Sequence, residues 1–179
     1  MVHPLVIIGT REEDGTHNFS PKHMVLPLGW HNHFGLIGSP RHRTFHNIVR
    51  EEAFTVSYPR PTQVIATSLA ASPRLEDGSK PILQALPTIP ASTIDGVFLE
   101  DAYWYLECRL DRIVDVMTEE KLIIGKIVAA LVNSDVHRSV NKDDNDLVHN
   151  FPLLTYLAPG RFATVSESQA FPFPVDFQR

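Results

Sequence analysis

Trp104-Tyr105-Leu106-Glu107-Cys108-Arg109-Leu110-Asp111 alternates residue by residue between two kinds of side chain. Trp104, Leu106, Cys108 and Leu110 form one set, and Tyr105, Glu107, Arg109 and Asp111 the other. A period of two is that of a half-buried strand. After Leu110 the phase slips, because Ile113, Val114 and Val116 are apolar, so a bulge or bend is expected there. Met117-Thr118-Glu119-Glu120 supplies a turn, and an apolar run follows over residues 122–132. Its β-branched content and the preceding hairpin favour a strand over a helix.

Working outward, strands recur. Residues 5–9 read Leu-Val-Ile-Ile-Gly, a buried strand, and Asp14-Gly15 marks a turn after it. A second extended stretch runs through His23-Met24-Val25-Leu26, and a third covers residues 34–38. Residues 44–52 change to a helical pattern, with Phe45, Ile48 and Val49 on one face and Thr44 placed to cap it. Strand composition returns at residues 53–58, and Pro59 and Pro61 close it. A short helix is predicted over 62–71. Residues 72–93, rich in Pro, Ser and Gly, read as an excursion over the surface. Downstream, residues 141–146 are polar and exposed by expectation. Ala158-Pro159-Gly160 turns the chain into a last short strand. The fold class expected is mainly β with short helices: a barrel with helical insertions.

The 179 residues, 43% hydrophobic, suit one compact core, so the chain is read as a single domain over 1–179. The formal net charge is −5 and no long basic run occurs, which disfavours a nucleic-acid partner. The apolar stretch near the start is too short for a signal-peptide core, and no run approaches the length that spans a bilayer. One cysteine, Cys108, rules out an internal disulfide and a multi-cysteine zinc site. A cytoplasmic protein without a membrane role is the expectation.

Six of the nine histidines lie between His17 and His46. His31-Asn32-His33 would put two rings on one face of a strand, as a metal-binding barrel does. The further Glu and distant His such a site needs are not at suitable positions, so no metal is expected, and the histidines are read as surface, interface or ligand-adjacent groups. A second cluster, Ser39-Pro40-Arg41-His42-Arg43-Thr44, precedes the helix. A helix start offers free N–H groups and positive dipole, and two guanidiniums and two hydroxyls add to it. Spacing alone leaves two readings open: an anion site, or a capped helix beside a solvated basic loop. No G-x-G-x-x-G, P-loop or G-x-S-x-G is present, and Cys108 reads as a core residue.

Several fragments occur in a telling order: the strand ending at Thr10, Asp14-Gly15, Asn18, Ser20-Pro21, Arg43-Thr44-x-x-Asn47-Ile48 and Glu52-Ala53-Phe54-Thr55-Val56. Leu106-Glu107-Cys108, Ile124-Gly125-Lys126-Ile127-Val128 and the closing segment 153–162 follow. Together they resemble the flavin reductase-like family across about residues 5–165. The resemblance implies an FMN-binding split β-barrel, a homodimer with flavin near its interface. Thr10, Asn18, Ser20 and Pro21 would lie along the ring and ribityl chain, with Arg11 beside them. Arg43, Thr44 and Asn47 would lie at or near the phosphate, where the anion-site reading of the preceding loop adds Ser39 and Arg41. His23 stands where the family commonly has a small or hydroxylated residue. The implied activity is NAD(P)H-dependent flavin reduction, with hydride passing from nicotinamide to flavin and then electrons to a flavin or protein acceptor. A flavoredoxin-like electron carrier reduced by a protein partner is the alternative. A non-redox or metal-binding barrel is a third.

Overall fold

The computed structural model describes residues 1–139 and 143–176. The strands are β1 (Val2–Pro4), β2 (Val6–Arg11), β3 (His17–Lys22), β4 (Val25–Leu28), β5 (His33–Gly38) and β6 (Ala53–Tyr58). They continue with β7 (Thr88–Pro90), β8 (Val97–Leu99), β9 (Trp104–Asp115), β10 (Lys121–Val132), β11 (Leu153–Leu157) and β12 (Arg161–Val165). Helices are α1 (Arg43–Glu51), α2 (Val64–Leu69), α3 (Ile82–Ala85) and α4 (Asp144–Asn150). Seven strands form one antiparallel sheet in the order β3-β2-β6-β9-β10-β5-β4. The sheet curls into a half-barrel, and the fold is the split β-barrel. β1, β11 and β12 form a second sheet, and β7 pairs with β8.

The long hairpin β9–β10 is the spine of the large sheet. Two register shifts interrupt its pairing, between Ile124 and Gly125 and between Ile127 and Ala129. Asp111 is the unpaired residue of the first and Val128 of the second. The first lies where the apolar phase slips, because an extra residue on one strand changes the face that later side chains meet. β9 is buried on both faces through Cys108, while from Arg109 onward exposed and partly buried residues mix, in line with the half-buried strand expected. Leu106, Cys108 and Leu110 join the core inside the half-barrel with Phe34, Phe54, Val56 and Ile123. On the other face Tyr105 packs with Phe98 and Ala102, and Glu107 is 0% exposed.

Helix α1 plugs the core with Ile48. Its buried face is Thr44, Asn47 and Ile48, and Val49 is 45% exposed, so the expected apolar face is rotated. Polar groups belong to the inner stripe here because β2 offers them partners. Thr44 is not the cap: His42 occupies that position and Thr44 lies one residue into the first turn. The segment after α2 is tied to the core at one point. Most of residues 72–93 are exposed, as expected, but Leu86 anchors the excursion, buried with Ile7, Phe19, Ala70 and Leu99, with Ile82 and Leu83 partly buried beside them. The stretch expected through residues 23–26 breaks at His23 and Met24 before β4 begins. Of the polar stretch 141–146, Asn141 and Lys142 lie outside the described residues, and the rest leads into α4. Among the described residues no helix is long and apolar enough to cross a membrane.

Close packing against β2 depends on Gly9. A Cβ there would sit 2.2 Å from Thr55 Oγ1 and 2.7 Å from the Val97 carbonyl oxygen. Thr55 Oγ1 itself donates to that carbonyl at 2.6 Å, so β2, β6 and β8 meet at a point that admits no side chain.

Candidate functional site

The site grows from the alternation of β2 and β3. Thr10 pairs with Asn18, Ile8 with Ser20 and Val6 with Lys22. Asn18, Ser20 and Lys22 therefore form one row on β3, on the side of Thr10, while Phe19 and Pro21 alternate to the other. Helix α1 closes one end of this row. Asn47 Nδ2 donates to Thr10 Oγ1 at 3.1 Å, with the residues 2% and 3% exposed. Thr44, one turn earlier on α1, is buried beside them. No acidic side chain lies in the first turn of α1 itself.

A buried carboxylate organises the cations. Glu12 lies just past β2 and is 6% exposed. Arg74 Nη2 donates to its Oε1, and Arg43 Nη1 reaches its Oε2 at 3.5 Å. The same Arg74 nitrogen lies 3.5 Å from Asn18 Oδ1, and Arg74 Nη1 donates to the Gly78 carbonyl at 2.8 Å. Lys80 Nζ donates to the carbonyls of Phe19 at 3.1 Å and Ala70 at 2.6 Å. Burial pushes the Lys80 amine down; Arg74 acts in the same direction and Glu12 opposes it. Two guanidiniums thus lean on one buried carboxylate, and Asp14 also lies within electrostatic reach of Arg74.

The structure brings Thr10, Asn18, Arg43, Thr44 and Asn47 together. Ser20 and Pro21 continue along β3. His23 lies past the strand end, stacked on Tyr156 at 4.3 Å and edge-on to His3 at 5.4 Å. Ser39 accepts from the Arg41 N–H at 3.3 Å, but the Arg41 guanidinium turns to Glu119 in the β9–β10 turn. Arg11 points away from Thr10 and pairs with Asp95 at 3.0 Å and Glu51 at 3.9 Å. His31 and His33 do not share a strand face, because His31 lies in the turn before β5 and Asn32 is left-handed at φ 56°. Sequence reasoning missed Glu12, Arg74 and Lys80. No local pattern announces them; Arg74 and Lys80 come from a Pro- and Ser-rich loop far along the chain.

A second buried carboxylate, Glu107, has a structural task. It accepts from the Ser92 and Thr93 amides and hydroxyls and from the Ile94 N–H at 3.1 Å. Burial would push its carboxyl up, but the hydrogen bonds prevail and hold it down at about 2. Burial pushes the Cys108 thiol up, away from reactivity.

A curled antiparallel half-barrel with a polar and cationic row on its first hairpin defines the split-barrel class. The chain belongs to the flavin reductase like domain family, which it matches over residues 1–164. An uncharacterized protein of Methanothermobacter thermautotrophicus is 27% identical over 176 residues, covering 94% of this chain and 82% of its own. Among solved structures, the fold is shared with 2-nitrobenzoate 2-nitroreductase of Pseudomonas fluorescens. That match has a TM-score of 0.81 and 20% identity, covering 99% of this chain and 87% of the other. Nitrilotriacetate monooxygenase component B of Bacillus cereus aligns with a TM-score of 0.83 and 17% identity, over 96% and 88% of the two chains. Flavoredoxin of Desulfovibrio vulgaris aligns with a TM-score of 0.80 and 19% identity, over 97% and 92%.

Proposed function

We propose that this chain is an FMN-binding oxidoreductase of one domain, working as an NAD(P)H:flavin reductase and assembled as a homodimer. The observation that carries the reading is the convergence of Arg43 and Arg74 on Glu12, at the end of the row through Thr10 and Asn18. The residues fit a phosphate-bearing flavin. Arg43 and Arg74 supply forked donors for the phosphate, and the start of α1 adds its dipole. Arg43 is free to turn, since its side chain is 59% exposed and its Glu12 contact is long. Thr10, Asn18 and Ser20 offer hydroxyl and amide groups along the row.

Bound FMN supplies the hydride chemistry, and the protein's part is to hold and orient it. The Asn47–Thr10 bond keeps the floor rigid, so polar atoms there need no rearrangement when a ligand arrives. Arg11 and Arg41 are occupied by other carboxylates and are assigned no flavin contact. Exposed apolar side chains on β10 and β12, Leu131, Val132 and Phe162 among them, are the surface offered to a second copy. Light scattering that gives one chain mass would overturn the dimer.

The test of function is twofold. Flavin fluorescence titration should give tighter binding of FMN than of riboflavin, and equal affinities would sink the phosphate assignment. Oxidation of NADH or NADPH with added free FMN should then follow by loss of nicotinamide absorbance. A flavin-loaded protein inert to both nicotinamides would instead be an electron carrier served by a protein partner.

A further inference from the structure

A buried carboxylate is an odd neighbour for a site that would hold an anion, and Glu12 is one. It follows β2 directly, and each of its oxygens serves a different guanidinium, Oε1 that of Arg74 and Oε2 that of Arg43. The two arginines are held unequally. Arg74 is partly buried and also donates to the Gly78 carbonyl, whereas Arg43 is more than half exposed and meets Oε2 only at 3.5 Å. Arg43 is therefore the one that can turn, while Arg74 is anchored. The other charges around Arg74 are already placed. Lys80 is bonded to two backbone carbonyls, and Asp14 accepts from the Thr16 amide and hydroxyl out in water. Glu12 is the anion enclosed with the guanidiniums.

A phosphate that draws on these arginines must undo that arrangement. When Arg43 swings to the phosphate, Glu12 Oε2 loses its partner in a place closed to water, and a buried acceptor without a donor is costly. Arg74 stays on Oε1 and shares its remaining N–H groups with the phosphate. Two anions on one guanidinium lie within the range at which like charges disfavour each other. We propose that Glu12 is an internal competitor of the flavin phosphate: its carboxylate takes Arg43 back whenever the phosphate lets go, and so sets how readily FMN leaves. The proposal rests on the FMN reading above and deepens it, from the groups that hold the phosphate to the group that opposes them. No proton or electron moves in the exchange; one ion pair replaces another. A carboxylate kept where it weakens binding is a local conflict with a use only where the flavin comes and goes. Flavin handed on after reduction has that need, and flavin kept as a fixed carrier does not.

The experiment compares flavin-free wild type with Glu12→Gln and Glu12→Ala. Gln keeps the shape and an accepting oxygen for Arg74 and removes the charge; Ala removes the contacts as well. Affinity and dissociation rate are measured by flavin fluorescence, for FMN and for riboflavin. In both variants FMN should bind about tenfold more tightly, the scale expected when one like charge near the phosphate is removed. The gain should lie in slower release, and riboflavin affinity should not move. Urea unfolding should show both variants less stable than wild type, since two guanidiniums lose their anion. A purely structural role would lower stability and FMN affinity together; competition moves them in opposite directions. Unchanged or weaker FMN binding in a folded variant, or a parallel change for riboflavin, overturns the proposal and leaves the phosphate assignment standing as long as wild type prefers FMN. Failure of both variants to fold makes Glu12 a structural anion and overturns the proposal too. Wild type that binds FMN and riboflavin alike removes the phosphate assignment, and the proposal goes with it.

Discussion

Asn47 of α1 donates its side-chain amide to the hydroxyl of Thr10 on β2, at 3.1 Å and out of contact with water. The bond ties the helix to the strand at the head of the polar row. Thr10→Val keeps the shape and removes the acceptor, which strands a buried N–H. The expected cost is about 1–3 kcal/mol, read as a lower urea midpoint with unchanged circular dichroism.

Arg43 is the cleanest probe of the proposed phosphate end. Its contact with Glu12 is long and half in water, so Arg43→Ala should leave the melting temperature unchanged. FMN affinity should fall at least about tenfold, since one charge-assisted hydrogen bond is worth roughly 1.5–3 kcal/mol. Riboflavin affinity should stay as it is. Fluorescence titration of both flavins decides the matter, and parallel losses would move the phosphate elsewhere.

The curled sheet, the β9–β10 hairpin and even its bulge after Leu110 were readable, because alternation and its slips are local properties of the chain. The rotation of α1 was not. Asn47 and Thr44 look like surface residues until β2 and its Thr10 are placed opposite them. The cationic half of the site was hidden for a different reason. Arg74 is 56 residues from Asn18 along the chain, and the packing of Leu86 and Ile82 in the cluster with Phe19, together with the Lys80 bond to the Phe19 carbonyl, brings its loop to β3. Motif reading picked out Thr10, Asn18, Ser20 and the start of α1, which the fold places near one another. It also picked out Arg11 and Arg41, whose guanidiniums pair with Asp95 and Glu119 in the fold.

Glu107 should make the protein acid-sensitive. Its carboxyl is held at about 2 in the folded state against an ordinary 4.5. A depressed folded value means the stabilisation is complete above the unfolded value and is lost as pH falls from about 4.5 towards 2. Urea midpoints measured across that window should drop more for wild type than for Glu107→Gln. The variant should itself be weaker near neutral pH by more than about 2 kcal/mol, because its amide turns N–H groups towards Ser92 and Thr93 donors.

Gly9→Ala should be among the most damaging small substitutions in the chain. The new methyl would meet Thr55 Oγ1 and a backbone carbonyl that cannot swing aside. Overpacking of this kind costs about 1–3 kcal/mol or more. A thermal melt would show it. Gly29→Ala is the contrasting case, since nothing lies within 4 Å of its added carbon and only its φ of 65° opposes the change.

The loop that carries Arg74 is also a protease substrate in waiting. Trypsin needs an arginine or lysine side chain free to enter its own pocket. Lys80 is followed by Pro81, which protects that bond, so Arg74-Leu75 is the susceptible one. Arg74 is spoken for by Glu12, Asn18 and Gly78, and each cut must wait for the guanidinium to leave them. A phosphate on the same guanidinium would lengthen that wait. The rate of nicking at this one bond should therefore fall with added FMN and ignore added riboflavin, making cofactor occupancy measurable on a gel without any light absorbed by the flavin.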